Sequence, residues 1–285
     1  MQVLTTITET RAVLDAARQS GATVGLFPTM GALHDGHATL MRKARVECDV
    51  AVVSIFVNPL QFGEDEDLAR YPRDLSADAA LAESIGIDVI FAPSVEEMYP
   101  RPVVTAVALQ SLAATMEGAS RPGHFTGVAT VVAKLFNIAG PCRAYFSEKD
   151  FQQLAIVSRM AQDLSFPVEV VRCPFVREPD GLAMSSRNVF LNADERAAST
   201  VLFRALETGA AMVLAGEIDP DRVRGAVASV IEQEPIANID YVEVVDVSTL
   251  AQPATLRGEL RLLVAARFGA TRLLDNLGVV VPEQH

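Results

Sequence analysis

Apolar and amphipathic stretches alternate along the first 175 residues of the chain. The alternation predicts strands at 23–27, 49–57, 88–92, 143–146 and 168–172, and helices at 38–47, 76–85, 127–138 and 151–163. The run at 49–57 is almost continuously apolar and rich in β-branched residues, which is typical of a strand covered on both faces. Because strands that alternate with helices favour parallel pairing, we predict an α/β fold with a doubly wound parallel sheet.

The pattern changes in the last 110 residues. An Ala- and Leu-rich helical pattern covers 192–215, a second helix runs from Pro220 to about residue 233, and strand-like runs follow at 241–247 and 261–268. We therefore predict two domains, residues 1–175 and a smaller α+β domain at 176–285. We see no apolar run that approaches the roughly 20 residues needed to span a bilayer.

Charge and cysteine content narrow the class of protein. A net charge of −12 makes the chain acidic, so it repels polyanions and we expect no nucleic-acid partner. The three cysteines are odd in number and widely spaced, which argues against a disulfide framework and a zinc site. The N-terminus lacks the pattern of a secretion signal, and we expect a cytoplasmic protein with no membrane partner.

Two of the four histidines fall in one predicted turn. His34 and His37 flank Gly36 between the strand at 23–27 and the helix at 38–47. Such a turn often presents backbone N–H groups and a helix N-terminus to a phosphate, and histidines three apart on a helix share a face. The pattern favours a phosphate-binding turn, although a surface turn without a ligand has the same residues.

Two further loops carry groups suited to a triphosphate. Lys149 precedes a predicted helix, where a cation opposes the helix dipole unless it binds an anion. Ser185, Ser186 and Arg187 offer two hydroxyls and a guanidinium in succession. Taken singly, these loops also fit a charged surface cluster and an ordinary polar turn. With no Walker A loop, Rossmann glycine fingerprint or nucleophile motif, we predict electrostatic stabilisation of phosphoryl or adenylyl transfer.

Together these segments resemble those of the pantoate–β-alanine ligases. The matching segments, in the order of the family, are 28–37, 57–63, 71–73 with Asp78, 121–125, 148–153 and 181–188. The His-x-Gly-His and Met-Ser-Ser-Arg segments also resemble the two signatures of class I aminoacyl-tRNA synthetases and related nucleotidyltransferases. Another adenylate-forming nucleotidyltransferase is therefore the alternative, but the acidic charge argues against tRNA, and segments 58–61 and 148–153 favour the ligase.

The resemblance implies a Rossmann-like first domain that binds ATP and pantoate, a second domain that acts as a lid, and a homodimer. It also implies the reaction. ATP and pantoate would form pantoyl adenylate and pyrophosphate, with Mg²⁺ accompanying ATP. The amine of β-alanine would then attack the adenylate and give pantothenate and AMP.

The resemblance assigns roles to individual residues. The catalytic residues would be His37, as proton donor, His34, Lys149 and Arg187. Gln61 and Gln153 would bind pantoate, Asp78 would help to hold Mg²⁺, and His124 would lie near the pantoate or β-alanine pocket. The nucleotide would be bound by Met30, Gly31, Ala32, Leu33, His34, Asp35, Gly36, His37, Ser147, Glu148, Lys149, Asp150, Val176, Met184, Ser185, Ser186 and Arg187.

One residue departs from the family pattern. Ser147 stands where the family usually has glycine, and its side chain would either crowd the nucleotide or hydrogen-bond to it. A non-catalytic nucleotide-binding protein with the same fold is a third possibility. The presence of His34, His37, Lys149 and Arg187 argues against it.

Overall fold

The structure, a computed structural model, describes residues 1–63, 67–109 and 111–282. The chain divides into two compact units, Met1–Phe175 and the residues from Val176 onward. The first unit contains β1 (Gln2–Leu4), α1 (Ile7–Gln19), β2 (Val24–Thr29), α2 (Asp35–Glu47), β3 (Val50–Ile55), α3 (Leu75–Ile85), β4 (Val89–Phe91), α4 (Val95–Met98), α5 (Glu117–Ser120), α6 (His124–Ala139), β5 (Cys142–Ser147), α7 (Phe151–Asp163) and β6 (Val168–Cys173). The second contains α8 (Ala193–Ala198), α9 (Val201–Leu214), α10 (Pro220–Glu232), β7 (Ala237–Asp246), β8 (Glu259–Phe268) and β9 (Thr271–Val280).

The first unit is built on one six-stranded sheet in the order β1-β4-β3-β2-β5-β6. Every neighbouring pair in it is parallel, which confirms the predicted sheet. Helices cover both faces, with α6 and α7 packed on one buried cluster and α2 and α3 on another. The chain runs outward from β2 through β3 to β4 and then returns to place β5 beside β2. The carboxyl ends of β2 and β5 therefore flank the point where strand order reverses, which is where doubly wound sheets bind ligands.

The second unit is smaller and packs helices on an antiparallel sheet of three strands, β7-β8-β9. The helical pattern at 192–215 forms two helices rather than one, since α8 ends at Ala198 and α9 begins at Val201. Among the described residues, one helical stretch, Ala193–Leu214, is long and apolar enough by length and composition to cross a membrane. Half of the apolar stretch is buried, and Leu202 and Leu206 lie in the core of this unit.

Helix α6 makes an unusually close backbone contact at Gly127. A Cβ atom at this position would lie 2.1 Å from the Leu60 carbonyl oxygen and 2.7 Å from the Gln61 Cα atom. Both neighbours are backbone, in the 3₁₀ turn Pro59–Gln61 that follows β3, so neither can rotate away. A glycine is therefore required here to let the buried helix α6 lie against the turn that carries Gln61.

We expect Gly127→Ala to destabilise the protein by about 1–3 kcal/mol, because the added methyl group overpacks a backbone contact. Gly225→Ala is the matched control. Gly225 is also inside a helix, α10, but a Cβ atom added there would have nothing within 4 Å. At that position the better helix propensity of alanine should add roughly 0.5–1 kcal/mol. Calorimetric unfolding of both variants tests this, and equal stabilities would contradict the packing account.

Candidate active site

The turn between β2 and α2 is held by a buried carboxylate. Gly31 and Ala32 both have positive φ angles, +87° and +51°. Asp78, on α3, accepts hydrogen bonds from the Ala32 N–H (3.1 Å) and the Leu33 N–H (2.7 Å). A Cβ atom on Gly31 would lie 2.8 Å from an Asp78 carboxylate oxygen. The glycine thus supplies the backbone conformation and the space that the carboxylate needs.

This geometry gives Asp78 a structural task in the turn, and its role as a Mg²⁺ ligand stays a prediction. Its side chain is only 3% exposed, and each carboxylate oxygen accepts a backbone N–H. Burial raises the pKa of the carboxyl group, while the two N–H groups act in the opposite direction. Among residues 1–63, 67–109 and 111–282, no group of three or more His, Cys, Asp or Glu side chains is arranged to hold a metal ion. We therefore assign Asp78 to the turn.

His34 and His37 together cap helix α2. The Gly36 N–H donates to His34 Nδ1 (3.1 Å), and the His34 N–H donates to His37 Nδ1 (3.3 Å), which forms a capping box. A backbone N–H only donates, so each Nδ1 must be unprotonated and each neutral ring must carry its proton on Nε2. The two rings lie 4.0 Å apart between centroids. Neither Nε2 atom has a hydrogen-bond partner in the part of the chain that the structure describes.

Burial and neighbouring charge keep both rings neutral. Burial, the His34 ring and the Lys149 ammonium together lower the pKa of His37 to about 3. Burial and Lys149 also lower the pKa of His34. At pH 7 the free protein therefore presents neutral imidazoles beside a cationic lysine. In this ligand-free state His37 can donate a hydrogen bond from Nε2, and the proton-donor role that the resemblance implies stays a prediction.

The backbone N–H groups of this turn are largely engaged by the protein itself. Acceptors on Thr29, Asp78, His34 and His37 hold five of them, which belong to Gly31, Ala32, Leu33, His34 and Gly36. These five N–H groups already have acceptors within the protein, and the expectation that backbone N–H groups of the turn cradle a phosphate stays a prediction. The side-chain Nε2–H groups are the donors that the turn leaves for an anion, and the positive charge of Lys149 acts on both rings.

Lys149 is near enough to lower the pKa of both histidines because β5 lies beside β2. It sits in the 3₁₀ turn Glu148–Asp150 at the carboxyl end of β5, and Ser147 caps this turn by accepting from the Lys149 N–H (3.1 Å). The Ser147 oxygen is thus directed to its own turn. The Lys149 ammonium lies 3.6 Å from Asp150, and Glu148 lies 3.6 Å from Arg172.

Gln61 lies in a hydrogen-bonded cluster at the carboxyl end of β3. Its Oε1 atom accepts from Asn58 Nδ2 (3.0 Å), and its Nε2 atom lies 3.1 Å from the Met30 sulfur. The Gln61 carbonyl accepts from His124 Nδ1 (2.8 Å), which fixes the proton of that imidazole on Nδ1. Tyr99 completes the cluster by donating to Asn58 Oδ1 (2.8 Å). Sequence reasoning missed Tyr99, and no local motif marks it.

The two glutamines at the start of α7 have different surroundings. Gln152 is buried and donates to the carbonyls of Leu112 and Thr115 (2.8 and 2.9 Å), so it holds the preceding loop. Gln153 is half-buried, and its side chain makes no hydrogen bond within the described residues. Gln153 is therefore the one of the two that is available to a ligand.

The predicted residues of the second unit lie in one tightly connected loop. The Val176 carbonyl accepts from the Met184 N–H (3.1 Å). The Ser185 hydroxyl accepts from the Arg187 N–H (3.2 Å) and starts the 3₁₀ turn Ser186–Phe190. Asn188 anchors this turn by donating to Glu178 (3.2 Å) and to the Ala183 carbonyl (3.1 Å). The structure thus brings together His34, His37 and Lys149 in the first unit, and Ser185, Ser186 and Arg187 in the second.

Comparisons with known proteins identify the family of the chain. The family model for pantoate-β-alanine ligase matches residues 2–278. Pantothenate synthetase from Roseiflexus castenholzii is 55% identical over 276 residues, which cover 97% of this chain and 98% of that one. The pantothenate synthetase of Heliobacterium modesticaldum is 53% identical over 281 residues, with 99% of this chain and 100% of that one covered.

Solved structures give the same result. The crystal structure of pantothenate synthetase from Thermus thermophilus has a TM-score of 0.93 and 48% identity, and the match covers 98% of this chain and 100% of that one. A pantoate-β-alanine ligase from Francisella tularensis, complexed with β-γ ATP and β-alanine, has a TM-score of 0.81 and 31% identity with 97% of both chains covered. The fold, the predicted function and the relatives agree, and the chain belongs to the pantoate-β-alanine ligase family.

Proposed function

We propose that this protein makes pantothenate in two steps, with pantoyl adenylate as the intermediate. As a member of its family, the chain is an ATP-dependent pantoate–β-alanine ligase. In the first step, a pantoate carboxylate oxygen attacks the α-phosphorus of ATP and the bond to pyrophosphate breaks. In the second step, the β-alanine amine attacks the acyl carbon, loses a proton and displaces AMP.

One observation carries this mechanism: the capping box leaves two neutral Nε2–H donors beside Lys149. We assign these groups to the phosphates of ATP. Charge moves from the α-phosphate to pyrophosphate during adenylation, and donors fixed before the reaction need no rearrangement to stabilise it. Lys149 would supply the positive charge, and the two imidazoles would supply hydrogen-bond donors of fixed direction. The surface of the turn from Met30 to His37, with segment 147–150, would line the rest of the nucleotide.

Pantoate has a carboxylate and two hydroxyls to satisfy. We assign Gln61 and Gln153 to these groups, because Gln61 is held with an N–H₂ group beside Met30 and Gln153 has no partner in the described residues. A site built to hydrogen-bond hydroxyls rejects analogues that lack them, since its own polar groups would otherwise stay unpaired.

We assign the second unit the role of a lid. Ser185, Ser186 and Arg187 would contact the phosphates on closure, and Val176 and Met184 would contact the nucleotide. Closure excludes water from the acyl adenylate, which would otherwise hydrolyse. The anchored turn that carries Arg187 suits this task, because Asn188 and Ser185 fix its shape before ATP arrives.

The proposal also includes the compartment, the oligomeric state and the metal ion. We place the enzyme in the cytoplasm as a homodimer, as the family resemblance implies. Mg²⁺ would arrive with ATP, held mainly by phosphate oxygens and water, as is usual for this ion. The described protein residues form no cage for it, and we derive no step from it.

The test of the proposed function is AMP formation from ATP, Mg²⁺ and pantoate with and without β-alanine. We expect AMP to appear in step with pantothenate and only when both substrates are present. Isotope exchange of labelled pyrophosphate into ATP should need pantoate but not β-alanine, because the adenylate forms first. Exchange that ignores pantoate, or AMP without pantothenate, would contradict the two-step mechanism.

We expect His37→Ala to lower turnover by about 10²-fold or more, as for removal of a fixed charge-stabilising donor. His37→Gln separates this role from capping. A glutamine at the third helical position can accept from the backbone N–H of the cap residue, but it does not reproduce the imidazole Nε2–H. His37→Gln should therefore be as stable as the wild type. Its turnover should be as low as that of His37→Ala. Near-normal turnover in His37→Gln would remove the donor role.

We expect Asp78→Asn to lower both stability, by about 1–3 kcal/mol, and turnover, because an amide N–H₂ would face a backbone N–H of the turn. Asp74→Asn on the same helix is the control, since Asp74 caps α3 and asparagine caps equally well. Excess Mg²⁺ should not restore Asp78→Asn. Full rescue by Mg²⁺ without a change in stability would show that Asp78 is a metal ligand instead.

A further inference from the structure

The orientation of the Gln61 amide is determined by its neighbours. The Leu60 N–H can only donate, so the atom of Asn58 that faces it (3.3 Å) must be Oδ1. The Gly127 carbonyl can only accept, so the atom of Asn58 that faces it (3.2 Å) must be Nδ2. Backbone groups alone thus fix which way Asn58 points.

The same reasoning extends from Asn58 in both directions. Because Nδ2 donates, the Gln61 atom beside it at 3.0 Å must be the acceptor Oε1. The donor Nε2 of Gln61 is then the atom directed toward Met30, at the turn that follows β2. Because Oδ1 accepts, the Tyr99 hydroxyl at 2.8 Å must donate. A chain of donors therefore runs from Tyr99 through Asn58 to Gln61.

Tyr99 is well placed to hold this chain rigid. Burial raises the pKa of its hydroxyl to about 12, so it remains a donor at any pH at which the enzyme works. Its ring packs against Phe56, with 6.0 Å between centroids, and the Lys134 ammonium lies 5.5 Å from the ring centroid. Lys134 in turn donates to the Met98 carbonyl next to Tyr99. The ring is thus fixed independently of the hydroxyl.

We propose that Tyr99 is a positioning residue for substrate recognition: through Asn58 it holds Gln61 with its N–H₂ group toward the pantoate site. This inference rests on the proposed role of Gln61. A fixed N–H₂ group selects an acceptor, either a carboxylate or a hydroxyl oxygen, and disfavours a ligand that presents a donor there. Tyr99 thereby contributes to specificity without contacting the substrate.

The effect of Tyr99→Phe is expected to be partial. Phenylalanine keeps the ring contacts with Phe56 and Lys134, so the variant should fold. Asn58 Oδ1 would keep only the longer bond from the Leu60 N–H. Loss of one neutral hydrogen bond corresponds to about 1–1.5 kcal/mol, or a roughly 5- to 12-fold change in an equilibrium constant. We expect KM for pantoate to rise by about this factor, with kcat and KM for ATP near the wild-type values.

The experiment is a double-mutant cycle of Tyr99→Phe and Gln61→Ala, read out as KM for pantoate, KM for ATP and kcat. If Tyr99 acts through Gln61, Tyr99→Phe should add nothing to the pantoate KM of Gln61→Ala. Tyr145→Phe is the matched control, because its hydroxyl is also hydrogen-bonded, to Glu47 and Cys48, outside the Gln61 cluster. It should leave KM for pantoate unchanged.

The outcomes distinguish the pantoate-binding role of Gln61 from the positioning role of Tyr99. An unchanged pantoate KM in Gln61→Ala would remove Gln61 from pantoate binding and so overturn the assigned site. A raised KM in Gln61→Ala, together with wild-type constants in Tyr99→Phe, would overturn the positioning role alone. Additive effects, or equal losses for pantoate and ATP, would make Tyr99 a structural residue and likewise contradict the inference.

Discussion

The capping of helix α2 by two imidazoles is the interaction on which the site depends. Each ring uses Nδ1 to accept a backbone N–H of the first helical turn. Local folding thus fixes the tautomer, and the tautomer fixes which ring atom can donate to a ligand. Asp78 and Gly31 shape the turn before the helix, so the donors are aimed before any substrate binds. Preorganisation of this kind is what electrostatic catalysis requires.

Sheet topology supplies the remaining charge. β2 and β5 are far apart in sequence but adjacent in the sheet, and the turns that follow them meet at the reversal of strand order. Burial lowers the pKa values of both histidines and Lys149 lowers them further, so both rings stay neutral. The Lys149 cation thus has two effects at one position. It helps to keep the two imidazoles neutral, so that they donate hydrogen bonds, and it attracts a polyanion. Helix α6 completes the frame by carrying Gly127 against the turn of Gln61.

Much of the fold could be predicted from sequence, because the periodicity of apolar residues and the charged loops are local signals. The parallel sheet, most of its strands and helix α7 are as predicted. The misses have physical causes. β1 is only three residues long, α1 is amphipathic but polar on average, and β9 is interrupted by Asp275 and Asn276. Helix α2 begins three residues before its apolar period, because histidine is not a usual cap and gave no start signal.

The site was harder to predict than the fold, since partners of a side chain are set by topology. Asp78 attracts attention as a carboxylate near a nucleotide site, but only the structure shows two N–H groups on it. Tyr99 lies 41 residues from Asn58 in the sequence, and no sequence motif links it to Asn58 and Gln61. In contrast, Arg187 and its capping serine are close in sequence, and their turn could be identified from sequence.

The most direct test of the account is ¹⁵N NMR of the histidine side chains in the ligand-free enzyme at pH 7, assigned with single-histidine variants. We expect His34 and His37 to show an unprotonated Nδ1 and a protonated Nε2, and His124 to show the opposite tautomer. On lowering the pH, the His37 signal should stay neutral well below pH 6, because its pKa lies near 3. An imidazolium at either position at pH 7, or a proton on Nδ1 of His37, would contradict the claim that helix capping aims the proposed catalytic donors.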